Sequence, residues 1–236
     1  MIKLARLGAT LTMALLVVAG AARADLTTYY AEDFCLGQEP ECFDSGLELN
    51  GQHGWSAVRG QTELGRTTNA GRRTGWAAET RGAAFGFEAL VRSPRFDVIP
   101  DPGNDDFVVT LICGFKGMRS TWYITPTNRT TGSIATRIRF SPDGSIAVLV
   151  PDGFGGGDFE PVPGVSWTED EVYNITMVFR GNGTFQLGVN NREIASFESS
   201  GFAVGIEAIS FETDNQRIGD RILVDRIVAR RGRIGR

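Results

Sequence analysis

Short stretches in which apolar and polar residues alternate, each closed by a turn signal, run through most of this 236-residue chain. In one of them Phe107, Val109, Leu111, Cys113 and Phe115 fall on a single side. In another Tyr173, Ile175, Met177 and Phe179 stand opposite Asn174, Thr176 and Arg180. Phe185, Leu187 and Val189 repeat the pattern against Gln186 and Asn190. Successive side chains of a strand point to opposite faces, so a period of two builds a half-buried strand and not an amphipathic helix. No segment beyond residue 24 carries a convincing helical period.

The turns are legible too. Ile138 and Phe140 lead into Ser141-Pro142-Asp143-Gly144, and Ile146, Val148 and Val150 leave it. Proline presets φ at the second turn position and glycine accepts the positive φ of the exit, so this is a hairpin. Asn190-Asn191 parts two further strand patterns and reads as a second turn, because asparagine tolerates left-handed backbone. Residues 152–158, with four glycines around Phe154, read as a mobile loop between strands; a phosphate loop would need a lysine and a following helix. Between Gly46 and Gly86 the pattern is irregular, and short strands at residues 55–59 and 76–80, joined by long loops, are expected. Many short strands at this spacing predict an all-β chain folded as a two-sheet antiparallel jelly-roll sandwich.

The N-terminus reads differently. Lys3 and Arg6 precede an apolar run from Leu11 to Gly20, and Ala22-Arg23-Ala24 supplies the small residues of a cleavage site. That run is shorter than the roughly 20 apolar residues a spanning helix needs. Residues 1–24 are therefore read as a signal peptide, cleaved before Asp25, and the chain as exported: periplasmic, secreted or at the cell surface, with no membrane span left. Residues 25–230 then form one domain and 231–236 a basic, solvated tail.

Charge narrows the partners. The chain has 24 basic and 28 acidic residues and a net charge of −4. Its leader is basic only, so the remainder is more acidic still. A general nucleic-acid binder shows a strongly basic face, and this balance argues against one. Lys116 is the only lysine beyond the leader, so the basic groups are almost all arginines. Export permits disulfides, and Cys35 and Cys42, flanking Gly37 and Pro40, are placed to staple a short loop. Cys113, inside an apolar strand, reads as a buried free thiol. His53 is the only histidine, which removes a Cys/His metal site and a serine triad without other support.

Several segments resemble the concanavalin A-like lectin/glucanase superfamily, and its laminin-G-like jelly rolls in particular. Trp167 followed by Val172-Tyr173-Asn174-Ile175-Thr176 is similar to a Trp and Tyr-x-Ile strand of such domains. Val189-Asn190-Asn191 resembles their Val-Asn-Gly hairpin, with Asn191 in the glycine's place. Ile209-Ser210-Phe211 and Val224-Asp225-Arg226-Ile227 look like their closing strands, where Arg226 replaces a second acidic residue. Glu32-Asp33-Phe34 and residues 49–55, ending in Trp55, resemble openings of exported bacterial proteins of this type. The resemblance implies a fold shared by lectins, hydrolases, lyases and adhesion modules.

It also implies candidate sites. Structural calcium in such domains ties the chain ends together, and Glu32, Asp33 and Asp225 occupy comparable positions. Calcium takes six to eight oxygens, so three carboxylates with carbonyls and water would serve. The plainer reading is preferred here: an Asp–Arg pair without metal, because residues 221–230 are apolar on both alternating faces and a buried charge needs a partner. Trp55, Trp76, Trp122 and Tyr123 lie in or beside loop-rich sequence and are candidates for stacking on sugar rings, although for any single tryptophan a core role is the commoner one. Trp167 is read as core. The Glu-x-Asp-x-Glu strand of the related glucanases is absent, and Glu212-Thr213-Asp214 is its nearest fragment. The reading that results is a non-catalytic binding module for glycan or a surface polymer, acting through loops near residues 50–85 and 117–130. Its rivals are a polysaccharide hydrolase or lyase and an adhesion protein with a protein partner.

Overall fold

A computed structural model describes residues 25–33, 50–66, 76–81, 89–96, 106–128, 131–154, 156–202, 205–213 and 220–233. These residues form two antiparallel sheets. The eight-stranded sheet runs β13 (Arg192–Glu198), β12 (Thr184–Val189), β11 (Val172–Phe179), β6 (Asp106–Lys116), β15 (Arg221–Arg233), β4 (Trp76–Arg81) and β3 (Gln61–Arg66). Its remaining strand, β1 (Asp25–Asp33), pairs with β15. The seven-stranded sheet runs β10 (Gly157–Ser166), β9 (Ser145–Pro151), β8 (Ile138–Phe140), β7 (Trp122–Thr127), β14 (Ala208–Thr213), β5 (Ala89–Arg92) and β2 (Ser56–Arg59). Among the described residues the only helices are two three-residue 3-10 turns, Gln52–Gly54 and Ser200–Phe202.

The alternating segments do what their period demands. Val109, Leu111, Cys113 and Phe115 of β6 point into the core together with Tyr173, Ile175, Met177 and Phe179 of β11. From the opposite sheet come Trp122, Ile124, Ile138, Phe140, Val148 and Phe211. Aromatic rings knit one end of this core: Phe115 lies 4.8 Å from both Phe140 and Trp167. Phe179, Phe185 and Phe202 do so elsewhere, at 4.9 and 5.2 Å. Trp167 is core, as its sequence suggests, and its indole N–H donates to the Ser141 carbonyl at 2.8 Å. Cys113 is a free thiol in this core, where burial pushes its pKa well above the ordinary thiol value.

Both expected turns are present. Gly144, at φ +82°, donates its N–H to the Ser141 carbonyl at 2.9 Å. The Asp143 carboxyl, held by the Ser145 side chain and N–H, lies below the usual carboxylate range. Asn190 and Asn191 have φ of +53° and +66°, the two left-handed residues that match a two-residue turn to the strand twist.

Elsewhere the sequence reading needs correction. The irregular stretch holds a strand, β3, beyond the two expected, and only Gly60, at φ +80°, parts it from β2. Those neighbours belong to different sheets, so this one residue carries the chain across the sandwich. The expected loop after β9 is tied to Asp152, whose Oδ1 accepts the N–H groups of Phe154 and Gly156 at 2.7 and 3.0 Å. Arg231 is not part of a solvated tail. It lies inside β15, buried, with its guanidinium over the Phe107 ring at 5.6 Å.

The most consequential difference is in β15. Val224 pairs with Cys113 and Arg226 with Ile112, so Asp225 is an extra residue opposite β6, a β-bulge. Strict alternation puts Val224, Arg226 and Val228 on one face. The bulge moves the phase by one, and the core receives Ile222, Val224, Ile227 and Ala229.

Candidate functional site

The outer face of the seven-stranded sheet follows from its inner one. Ile124, Phe211, Ile138 and Val148 face the core, so their strand neighbours Tyr123, Thr125, Ser210, Glu212, Arg137 and Arg139 face away from it. Register aligns these residues in two rows. One row passes from Arg139 through Tyr123 and Glu212 to Leu90. The other passes from Arg137 through Thr125 and Ser210 to Arg92, and the backbone bond from Leu149 to Arg137 extends it toward Phe159 of β10.

At the centre is Glu212, 8% exposed although it stands on the outer face. Its Oε1 accepts the Thr125 hydroxyl at 2.5 Å and lies 3.1 Å from Arg137 Nε, while Oε2 accepts Arg137 Nη2 at 3.4 Å. Such a carboxylate fixes the arginine beside it. Arg137 in turn lies over the Tyr123 ring, 5.7 Å from its centroid, and Arg139 over Phe159 at 4.4 Å. Tyr123 and Phe159 approach to 6.1 Å. The strands that carry them are three places apart, about 14 Å at the usual strand spacing. Their side chains therefore lean toward each other across β8 and β9. Beyond Glu212, Arg92 Nε donates to Ser210 Oγ at 3.3 Å. What results is an ordered polar surface with aromatic and guanidinium planes, suited to stacking and hydrogen bonding.

Of the four proposed stacking residues, only Tyr123 is on this surface. Trp55 and Trp122 are corrected to core positions, with 2% and 0% of their surface exposed. Trp55 packs against Phe211 at 6.4 Å and Trp122 pairs in register with Phe140, so neither ring face is open to a sugar. Trp76 pairs with Arg66 at the start of β4, and its side chain lies outside the described residues. The loop after β6, where ligand recognition is expected, is tied down by Asp220, which is fully buried and accepts the Arg119 N–H at 2.8 Å and the Ser120 hydroxyl at 2.9 Å. His53 is exposed in the first 3-10 turn.

Cys35 and Cys42 lie outside the described residues, as do residues 1–24. For the acidic trio, strand pairing brings Asp33 opposite Arg226 and Glu32 opposite Ile227, one and two positions from Asp225. The Glu32 and Asp33 side chains are outside the described residues. Among the described residues no three His, Cys, Asp or Glu side chains converge as metal ligands.

Arg137, Arg139, Phe159 and Thr125 were not singled out from sequence. A signal for the first two existed: in Arg137-Ile138-Arg139-Phe140 the arginines alternate with core residues and must share the outer face.

No protein-family model matches the sequence, and no curated protein matches it. Solved structures do resemble its fold. A carbohydrate esterase from the Shiga toxin-encoding bacteriophage phi24B superposes with a TM-score of 0.57 at 15% identity, over 88% of this chain and 100% of that one. A sialidase gives 0.56 at 13% identity, over 78% of this chain and 17% of the sialidase. The globular domain of T. cruzi calreticulin gives 0.56 at 9% identity, over 86% and 87%. At such identities the likeness is one of fold, a β-sandwich.

Proposed function

We propose that this chain is an exported, non-catalytic, concanavalin A-like binding module, residues 1–24 its leader, which holds a glycan or surface polymer on the outer face of the seven-stranded sheet. The observation that carries this reading is the leaning pair Tyr123 and Phe159, each with an arginine over its ring. Half-exposed aromatic planes beside fixed hydrogen-bonding groups suit the C–H faces and hydroxyls of a sugar. Glu212 is the one carboxylate in the two central rows and is ion-paired with Arg137. A retaining glycosidase needs two carboxyls about 5 Å apart, so the described residues of this face favour binding over hydrolysis. The large hydrophobics exposed among the described residues, Val58, Ile134 and Phe154, come from three separate segments and lend less support to a protein partner. The esterase and the sialidase are named for carbohydrate chemistry, and cell entry of a botulinum neurotoxin type C of similar fold (TM-score 0.50, 8% identity, over 74% of this chain and 42% of that one) is described as dependent upon interaction with two ganglioside molecules.

The test is a glycan array probed with residues 25–236, with calcium and with chelator, beside a Tyr123→Ala/Phe159→Ala variant. Binding to a defined glycan by the parent chain and its loss in the folded variant are expected. An array blank for the parent, or binding the variant leaves intact, rejects the reading.

A further inference from the structure

The charge of this face runs against that of the molecule. The chain carries a net charge of −4, yet the two central rows bring together Arg92, Arg137 and Arg139 with Glu212 as their one carboxylate. Glu212 neutralises Arg137. The other two are different. Arg92 donates to the neutral Ser210 hydroxyl and Arg139 lies over the Phe159 ring, and among the described residues neither has a carboxylate within ion-pair distance. Asp143, exposed in the hairpin turn beyond the face, has its pKa lowered chiefly by its bonds to Ser145 and to a lesser extent by the charge of Arg139. A guanidinium fixed by a ring or a hydroxyl keeps N–H groups in a planar fork, the geometry that matches carboxylate or sulfate oxygens. Arg92 stands on β5 and Arg139 on β8, three strands apart, about 14 Å. One small anion does not span that distance; a chain with repeated anionic groups does.

We infer that the ligand of this face is an anionic polysaccharide, its carboxylate or sulfate groups taken by Arg92 and Arg139 while Tyr123 and Phe159 hold the ring between. The inference rests on the binding role proposed above and adds the chemical class of the polymer.

Three immobilised polymers test it: polygalacturonate for carboxylate, dextran sulfate for sulfate, and uncharged dextran. The intact chain is expected to bind one or both acidic polymers, to leave dextran, and to lose affinity as salt rises from about 0.05 to about 0.5 M. Arg92→Gln and Arg139→Gln should each weaken binding about tenfold, the worth of one charge-assisted contact, with melting temperature unchanged. Arg180→Gln, on the other sheet, should leave binding as it was. Equal binding to dextran overturns the charge inference and leaves the glycan-binding role standing. Acidic binding that survives both face variants overturns the placement. No binding to the three polymers, with the glycan array blank as well, overturns the inference and the role together.

Discussion

Single residues decide how this sandwich closes its ends, and Asp220 shows the scale of the effect. Its carboxylate is fully buried and takes the Arg119 backbone N–H, two guanidinium N–H groups at 2.9 and 3.2 Å, and the Ser120 hydroxyl. Gly117, at φ +75°, passes so near that a Cβ there would sit 2.2 Å from Asp220 Oδ1. Ser120 is itself buried. Asp220→Ala should therefore cost about 2 to 3 kcal/mol, the range for a buried hydrogen bond to a charged group left unmade. Asp220→Asn keeps one acceptor and should cost less. Urea midpoints compare them; an alanine variant as stable as the parent would show that the loop after β6 does not depend on this lock.

At the scale of elements, phase matters more than propensity. β15 is apolar on both faces, and the register on either side of its bulge determines which residues meet the core. Inserting one alanine between Arg226 and Ile227 slips everything after it by one. Val228 and Arg230 would turn inward, and Ile227 and Ala229 would turn out toward the opposite face. An unpaired guanidinium in an apolar core is among the costlier changes a domain can suffer. The insertion should abolish the cooperative thermal transition. Deleting Asp225 instead leaves Val224 opposite Cys113 and Arg226 opposite Ile112 in regular alternation, with the same residues facing the core, and should retain one. A cooperative melt in the insertion variant would mean that the strand can absorb a second extra residue as it absorbs Asp225. This element also marks where sequence reading stops. Strands such as β6 and β11 were legible because one face is apolar and the other is not, and the 141–144 turn because proline and glycine have fixed backbone preferences. A bulge leaves no such mark when both faces are apolar. Gly60 carries the chain between sheets with one residue, too short an interval for composition to reveal. The candidate site was half legible: of the candidate stacking residues Tyr123 stands on the outer face, while Trp55 and Trp122 misled because loop-rich sequence near a tryptophan does not report which way its ring points.

Across the whole molecule, the first described strand is paired to the last. Asp25 stands opposite Arg233 and Asp33 opposite Arg226, so β1 covers one edge of β15 along that half, while β4 covers it from Ile222 to Val224. The pairing is non-local, and β1 can dock only after the far end of the chain is in place, which makes it a late event in folding. Without β1, the β15 edge from Arg226 to Arg233 offers unpaired N–H and C=O groups in the middle of the sheet, a template for another chain. A protein beginning at residue 34 should melt at least about 8 °C lower than one beginning at residue 25, equivalent to about 3 kcal/mol for a domain of this size. It should also associate as its concentration rises, visible as growing mass in light scattering. Because Glu32 and Asp33 lie on this strand, the same comparison bears on calcium. A metal joining them to Asp225 would make the longer protein's melting temperature fall on chelation toward that of the shorter one. An Asp–Arg pairing would leave it where it was, and the two proteins would then differ by the same interval with chelator and without.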